Sequence, residues 1–440
     1  MRQTGNDLDR PSADWPRRTL GELCSVRSGG TPPKSDPTLW SGDVPWVSGK
    51  DLKSSRLTDT VDHITYDAAQ TYSCMAPAGS VLALVRGMGL AKSFPVSLID
   101  RPMAFNQDIK ALIPNAELSG AFLVHWLTFA APRMLDNTSN AAHGTKRLGH
   151  DDLVSFPLPI PPMPDQLAIA GVLDHVGAAI AIASTIENKT QALKSSVMRE
   201  LFTRGLRGEA QKEIDFGRAP ESWRVTPLDH CAGVQTGVAK GRKFPDEEMV
   251  ELPYLRVANV QDGHLDLTEI KSIQIRCSEI ERYRLQTGDV LLTEGGDFDK
   301  LGRGFIWRGE VDLCIHQNHV FAVRPDPKQL TPEFFAYLAQ SAYGKSYFLQ
   351  VAHKTTNLAC INTAKLKAFP VILPVLDEQR DIVAILDSID CKLALHNRKR
   401  TLLAKLFKSL LSRLMTGEIR VADLDLSALG NAAAGAEAAA

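Results

Sequence analysis

The sequence predicts an α+β protein in which two mixed α/β domains alternate with two long helices, a plan of one domain and one helix occurring twice. Three observations predict it. The chain matches itself, in order, over most of its length. Each half mixes short β-branched runs with turn residues, and each half ends in a long run with coiled-coil spacing.

The repeat is plainest at "IPPMPDQLAIAGVLDHVG" (160–177) and "LPVLDEQRDIVAILDSID" (373–390). Pro161, Gln166, Ile169, Leu173 and Asp174 recur 213 positions later as Pro374, Gln379, Ile382, Leu386 and Asp387. Upstream, Ser28-Gly29 matches Thr236-Gly237, and "VPWVSGKDL" matches "LPYLRVANV", both at an offset of 208. Gly79 meets Gly288 at 209, while "NQD" (106–108) meets "HQN" (316–318) and "HGTKRL" (143–148) meets "HKTTNL" (353–358) at 210. An offset that creeps upward while order is kept is what loop insertions produce in a duplicated domain.

Within each copy the first part holds runs such as "GSVLALVRG" and "GDVLLTEGG", each opening at a turn glycine, with helical patterns "ELSGAFLVHWLTFAA" and "TPEFFAYLAQSAYG" between. The second part predicts helices over 165–203 and 377–415. Ile382, Leu386, Ile389, Leu393, Leu403, Phe407, Leu410 and Leu414 follow alternating four- and three-residue steps. The same positions of the first copy read Ile169, Leu173, Val176, Ile180, Thr190, Lys194, Val197 and Leu201. That spacing is a coiled-coil seam, polar at mid-length at Glu187, Lys194, His396 and Arg400. A helix of some 37 residues makes a rod of roughly 55 Å, longer than one small domain needs. Two matching seams in one chain most simply pack on each other. Pro374 stops the strand before the second helix and Asp377 is placed to cap it.

Bulk composition bounds the function. The 440 residues carry 44% hydrophobic and 23% charged side chains, those of a globular protein. No apolar run approaches the ~18 residues of a membrane span, and the N-terminus has no apolar signal core. Seven scattered cysteines without a C-x-x-C pair argue against disulfides and zinc, and fit a reducing cytoplasm. The net charge of −1 makes any nucleic-acid surface local or completed by a partner. The closing "LGNAAAGAEAAA" reads as a disordered tail.

Catalytic signatures are missing. There is no phosphate-binding G-x-x-x-x-G-K-[ST], no dinucleotide glycine motif, no "N-P-P-Y"-like tetrapeptide and no G-x-S-x-G elbow. One nuclease-like pattern, Asp246 followed by Glu269 and Lys271, falls on Thr38 and Val61 in the other copy at the offset of 208, outside the shared plan. His316 and His319 share a face but lack a third ligand nearby, so no metal site is expected.

With "P-x-x-x-[DE]-Q-x-x-I" opening each helix, "PWVSGKDL" in the first copy and "MTGEIRV" (415–421) closing the second helix, the chain resembles the specificity subunit of type I restriction–modification systems. The resemblance covers about 15–420, with Tyr254 replacing a tryptophan and "GVAKGRKF" replacing "GGTP" in the second copy. It implies an N-terminal tail (1–17), a first target recognition domain (18–160), a central long helix (161–210), a second target recognition domain (211–372), a distal long helix (373–420) and a tail (421–440). Each domain would read one half of a bipartite, asymmetric DNA site, and the helices, as an antiparallel coiled pair, would fix the spacer. The subunit itself would hold no catalytic centre or cofactor. Two methyltransferase subunits using S-adenosylmethionine, and a restriction subunit using ATP and Mg²⁺ to translocate and cut DNA, would be its partners.

Base reading needs amides and guanidinium groups, and register needs cations on phosphates. Candidates on turn-rich segments of the first domain are Lys34, Lys50, Lys53, Arg86, Asn106, Gln107, His143, Thr145, Lys146 and Arg147. Those of the second are Lys240, Arg242, Lys243, Arg256, Asn259, Lys300, Arg303, Gln317, Asn318, His353, Lys354, Thr355 and Asn357. Trp46 and Tyr254 are expected in the core. Residues 18–160 hold 13 Lys+Arg against 13 Asp+Glu, so direct affinity should be modest and clamping by partners should supply the rest. A metal-dependent nuclease around Asp246, Glu269 and Lys271, and a protein-binding scaffold without DNA readout, are the competing readings.

Overall fold

The structure is a computed structural model and describes residues 15–140, 145–240, 248–296, 298, 301–354 and 359–425. The chain divides into two units, 1–184 with 398–440, and 185–397. The division falls inside both long helices, Met163–Arg204 and Leu376–Met415.

In the first unit an antiparallel sheet places Cys24–Ser28, Ile109–Pro114, Val81–Leu84 and Val96–Ile99 side by side, with Arg56–Leu57 at the edge. The central strands are buried on both faces, which suits their β-branched and leucine content. A second sheet pairs Val44–Val47 in parallel with Met103–Phe105. Gly79, at φ 84°, makes the turn that starts the central strand, a conformation glycine adopts without strain. The helix Gly120–Asp136 covers the sheet with Phe122, Leu123, Trp126 and Leu127, all buried.

The second unit repeats this order with Ala232–Thr236, Val320–Pro325, Val290–Thr293 and Gly304–Ile306. Met249–Leu255 runs parallel to Ile315–His316, and Gly288 repeats the left-handed turn at φ 95°. Where the first unit has one helix of 17 residues, the second breaks it into Pro332–Gln340 and Ala342–Val351. Trp46 and Tyr254 are core residues, 5% and 2% exposed. Trp46 also donates its indole N–H to the Gly30 carbonyl at 3.0 Å.

In the first unit Ile169, Leu173 and Val176 share a core with Leu410, Leu411, Leu414 and Met415, and Ile180 and Phe407 pack at its border. In the second, Leu201 shares a core with Ile382 and Leu386, Val197 borders it, and Ile389 is buried. Leu393 and Leu403, near the helix middle, are half-buried. The pairing is antiparallel, since Glu187 meets Asn397 (3.2 Å) and Lys194 meets Asp390 (2.6 Å).

Three details differ from the sequence reading. The second helix begins at Leu376, so Asp377 lies in its first turn, where it pairs with Arg380 at 2.8 Å instead of capping. Met163–Arg204 is long and apolar enough to cross a membrane by composition, contrary to the expectation that no such run exists. Its Ile169, Val172, Leu173 and Val176 lie in the first unit's core, while Leu167, Ile182 and Leu193 are exposed. Parts of both stretches read as tails are packed: strand Arg17–Thr19 pairs with Pro157–Pro159, and Val421 and Leu424 pack on the first core. Residues 1–14 and 426–440 lie outside the described residues.

Candidate nucleic-acid interface

The motif glutamines explain how each long helix is joined to its domain. Gln166 is fully buried; its Oε1 accepts from the Ser119 amide (2.8 Å) and its Nε2 donates to the Glu117 and Pro161 carbonyls (both 2.9 Å). Gln379 repeats this with the Thr331 amide (2.9 Å) and the Gln329 and Pro374 carbonyls (2.8 and 3.0 Å). Ser119 and Thr331 are the N-cap residues of the domain helices, so each glutamine occupies a backbone donor the helix leaves free. The sequence held this signal in its "[DE]-Q" motif, but the role of the amide was legible only in three dimensions.

The repeated aspartates also anchor. Asp174 Oδ1 accepts from the His125 imidazole (2.8 Å) and Oδ2 from Arg56 (3.4 Å). Burial works to raise the Asp174 carboxyl, but the hydrogen bond and charge of His125 and then Arg56 outweigh it and hold it below the ordinary carboxylate range. Asp387 accepts the Tyr337 hydroxyl at 2.6 Å, and that hydroxyl also reaches Asp390 at 2.7 Å. Burial, and then these two carboxylates, push the Tyr337 hydroxyl upward, so it remains a donor.

Of the first domain's candidates, three are brought together. Arg86–Gly87, Lys146–Arg147 and Ser139–Asn140 form a small sheet in which Arg147 lies directly opposite Arg86 and Lys146 opposite Gly87. Arg86 and Arg147 are exposed, Lys146 is half-buried, and none of the three has an ion pair among the described residues. Like charges set opposite each other across strands are unfavourable unless an anion lies between them. Exposed Lys92, not singled out in the sequence, sits at the end of the turn Met88–Ala91 that follows. Lys34 and Lys53 are exposed, and Lys50 is paired with Asp62 at 2.7 Å. Gln107 accepts the Thr31 hydroxyl at 2.5 Å, and Thr145 is half-buried. Asn106 is buried, its Oδ1 accepting from the Asp108 amide at 3.1 Å, and serves the turn. His143 lies outside the described residues.

The second domain's candidates are more dispersed. Arg256 binds the Glu269 carbonyl and carboxylate at 3.2 and 3.3 Å. Asn259 is 3% exposed and spends its amide inside the loop, on the carbonyls of Asp266 (2.8 Å) and Glu269 (3.0 Å) and the amide of Arg256 (2.9 Å). Asp51, its counterpart, holds the Ser48 amide and hydroxyl in the same way. Asn106 and Asn259, expected to face DNA, are thus buried turn residues. Arg303 reaches Gln261 at 3.1 Å, and Lys240 lies 5.8 Å over the Tyr254 ring. Gln317 and Asn318 are half-buried beside the parallel pair, and His353 is exposed on the strand that includes Lys354. Arg242, Lys243, Lys300, Thr355 and Asn357 lie outside the described residues.

Backbone pairing also corrects the alignment of the copies. The Leu148 amide binds the Val85 carbonyl (2.8 Å), while the Ile361 amide binds that of Glu294 (2.9 Å). Leu148 thus corresponds to Ile361, and Lys146-Arg147 to Ala359-Cys360, an offset of 213 where the sequence reading used 210. Likewise Phe105, not Asn106, is the counterpart of His316, since each pairs with the end of the parallel strand, Val47 or Leu255.

Of the nuclease-like pattern, only Glu269 and Lys271 are among the described residues. Glu269 pairs with Arg256 and Lys271, whose hydrogen bond and charges hold its carboxyl below the usual range. Asp246 lies outside the described residues. No group of three metal-ligating side chains occurs among the described residues. His316 is fully buried, with Nδ1 on the Val320 carbonyl at 2.7 Å, and burial lowers its pKa to about 4.

Residues 12–192 and 220–405 match the family described as the type I restriction modification DNA specificity domain. The specificity subunit of the type I restriction enzyme EcoKI from Escherichia coli is 25% identical over 349 residues, covering 73% of this chain and 71% of that protein. The EcoR124I/EcoR124II specificity subunit, also from Escherichia coli, is 28% identical over 205 residues, 46% of this chain and 48% of that one. In that match, the chain spans about half the relative's length. The crystal structure of the type I restriction–modification S subunit from M. genitalium has the same fold, with a TM-score of 0.56 at 15% identity over 94% of this chain and 98% of that one. Two copies of the family's domain, each ending in a long helix clamped by a buried glutamine, account for most of the sequence. The chain belongs to the type I restriction–modification DNA specificity family.

Proposed function

We propose that this chain is the non-catalytic DNA-specificity subunit of a type I restriction–modification complex, each unit reading one half of a bipartite, asymmetric site. The observation that carries the reading is a shared framework with unlike edges. The sheet that displays Arg86, Lys146 and Arg147 in the first unit displays Gly295, Gly296, Ala359 and Cys360 in the second. Two domains that read different bases need the same scaffold and different edge chemistry. The unbroken helices Met163–Arg204 and Leu376–Met415 would set the spacer. Methyltransferase subunits, two per chain, would bring S-adenosylmethionine, and a restriction subunit would bring Mg²⁺-dependent ATP hydrolysis, translocation and cleavage.

Mapping methylated adenines in the source cell tests this. Two short half-sites at constant spacing, lost on deletion of the gene, are expected; an unchanged methylation pattern refutes the reading. Replacing residues 218–372 by the equivalent segment of another family member should change one half-site only. Lengthening the helices should change the spacer and leave both half-sites alone.

A further inference from the structure

The second unit carries a chain of side chains that the basic strip of the first does not. At the counterparts of Val85, Gln107 and Asp108 stand Glu294, Asn318 and His319. Glu294 is held rigidly, its amide donating to the His319 carbonyl (3.0 Å) and its carbonyl accepting from the Ile361 amide (2.9 Å). The Asn318 amide meets His319 Nε2 at 3.3 Å, and His319 Nδ1 meets the Glu294 carboxylate. With Asn318 Nδ2 facing the ring, the row has one polarity: Nδ2–H donates to Nε2, and Nδ1–H donates to the Glu294 carboxylate. The neighbouring Gly295 and Gly296 bring no side chain, and Gly295 sits too close to Ala359 and Cys360 to carry one comfortably. Glu294 and His319 are 29% and 55% exposed, so the row ends in a partly accessible anionic acceptor.

A carboxylate cannot donate, so on a base edge it selects an amino group and rejects a carbonyl. We propose that Glu294, oriented by His319 and Asn318, reads an exocyclic amine, adenine N6 or cytosine N4, in the half-site of the second unit. This rests on the DNA-specificity reading above. Glu294 is the base-contacting group, and His319 positions it.

The test uses the full chain with its methyltransferase subunits, a plasmid library randomised over the second half-site, and mapping of methylated adenines. Wild-type protein giving no bipartite motif would overturn the specificity reading itself. With that motif in hand, Glu294→Gln should relax one position of the second half-site on the order of tenfold. The first half-site and the spacer should be unchanged. The base pair preferred there in wild type names the amine, adenine N6 for A·T and cytosine N4 for G·C. His319→Ala should relax the same position by less. An unchanged motif or an even loss over every library member overturns the proposal; the latter would mark the row as a loop clasp.

Discussion

The two units solve one packing problem in opposite chemical terms. Where the long helices cross in the first unit, Phe407 lies 4.0 Å from where a side chain on Gly177 would begin, its ring 6.1 Å from that of His125. At the repeated positions of the second unit stand Lys194, Asp390 and Tyr337. The Lys194 ammonium, 10% exposed, contacts both Asp390 oxygens (2.6 and 2.8 Å) and lies 5.1 Å over the Tyr337 ring. An aromatic against a glycine costs nothing in desolvation, whereas a nearly buried ion pair must recover that cost through geometry. The lesson is that duplication preserved positions while leaving polarity free to diverge.

The largest expected effect tests what the copies share. Gln166→Leu or Gln379→Leu strands three buried backbone groups, so each should destabilise its unit by about 4 kcal/mol in chemical denaturation. A cost below about 1 kcal/mol would show that the clamp is dispensable.

His316 and Phe105 offer the next contrast. Burial keeps His316 neutral to about pH 4, whereas an unfolded histidine protonates near 6.5. Unfolded chains therefore bind more protons between these values, and stability falls as pH drops through them, by up to about 3 kcal/mol. His316→Phe should flatten that stretch of the stability–pH curve, as measured by urea unfolding at pH 4 to 7.

Smaller still is the cost at the crossing. Asp390→Ala leaves a nearly buried ammonium without its carboxylate and should cost about 2 kcal/mol. Adding Lys194→Phe, which copies the first unit, should recover most of it; equal losses in single and double variants would break the comparison.

The smallest effect concerns Asp174. Its lowered pKa contributes stability above the unfolded value near 4 that disappears as pH falls through the folded value. Asp174→Asn should therefore reduce the steepness of acid unfolding below about pH 4, by about 1 kcal/mol.

Much of the framework was legible because it is periodic. The seam from Ile169 to Leu414 and the glycines at 79 and 288 announce themselves through spacing and turn chemistry. The interface was harder, because its register is set by strands distant in sequence. "HGTKRL" and "HKTTNL" share letters, yet hydrogen bonding shifts one against the other by three residues. Asn106 and Asn259 looked like readers because an amide suits a base edge equally well as a turn. Glu294 escaped notice, since a lone glutamate before two glycines carries no local signal of the histidine 25 residues away.

The glutamine clamps have one more consequence. On the domain side, Gln166 holds only main-chain atoms of Glu117 and Ser119, and Gln379 only those of Gln329 and Thr331. Such a socket is blind to the side chains of whatever it grips. Either domain can be rewritten residue by residue, or exchanged whole, without renegotiating its attachment to the long helix that follows it.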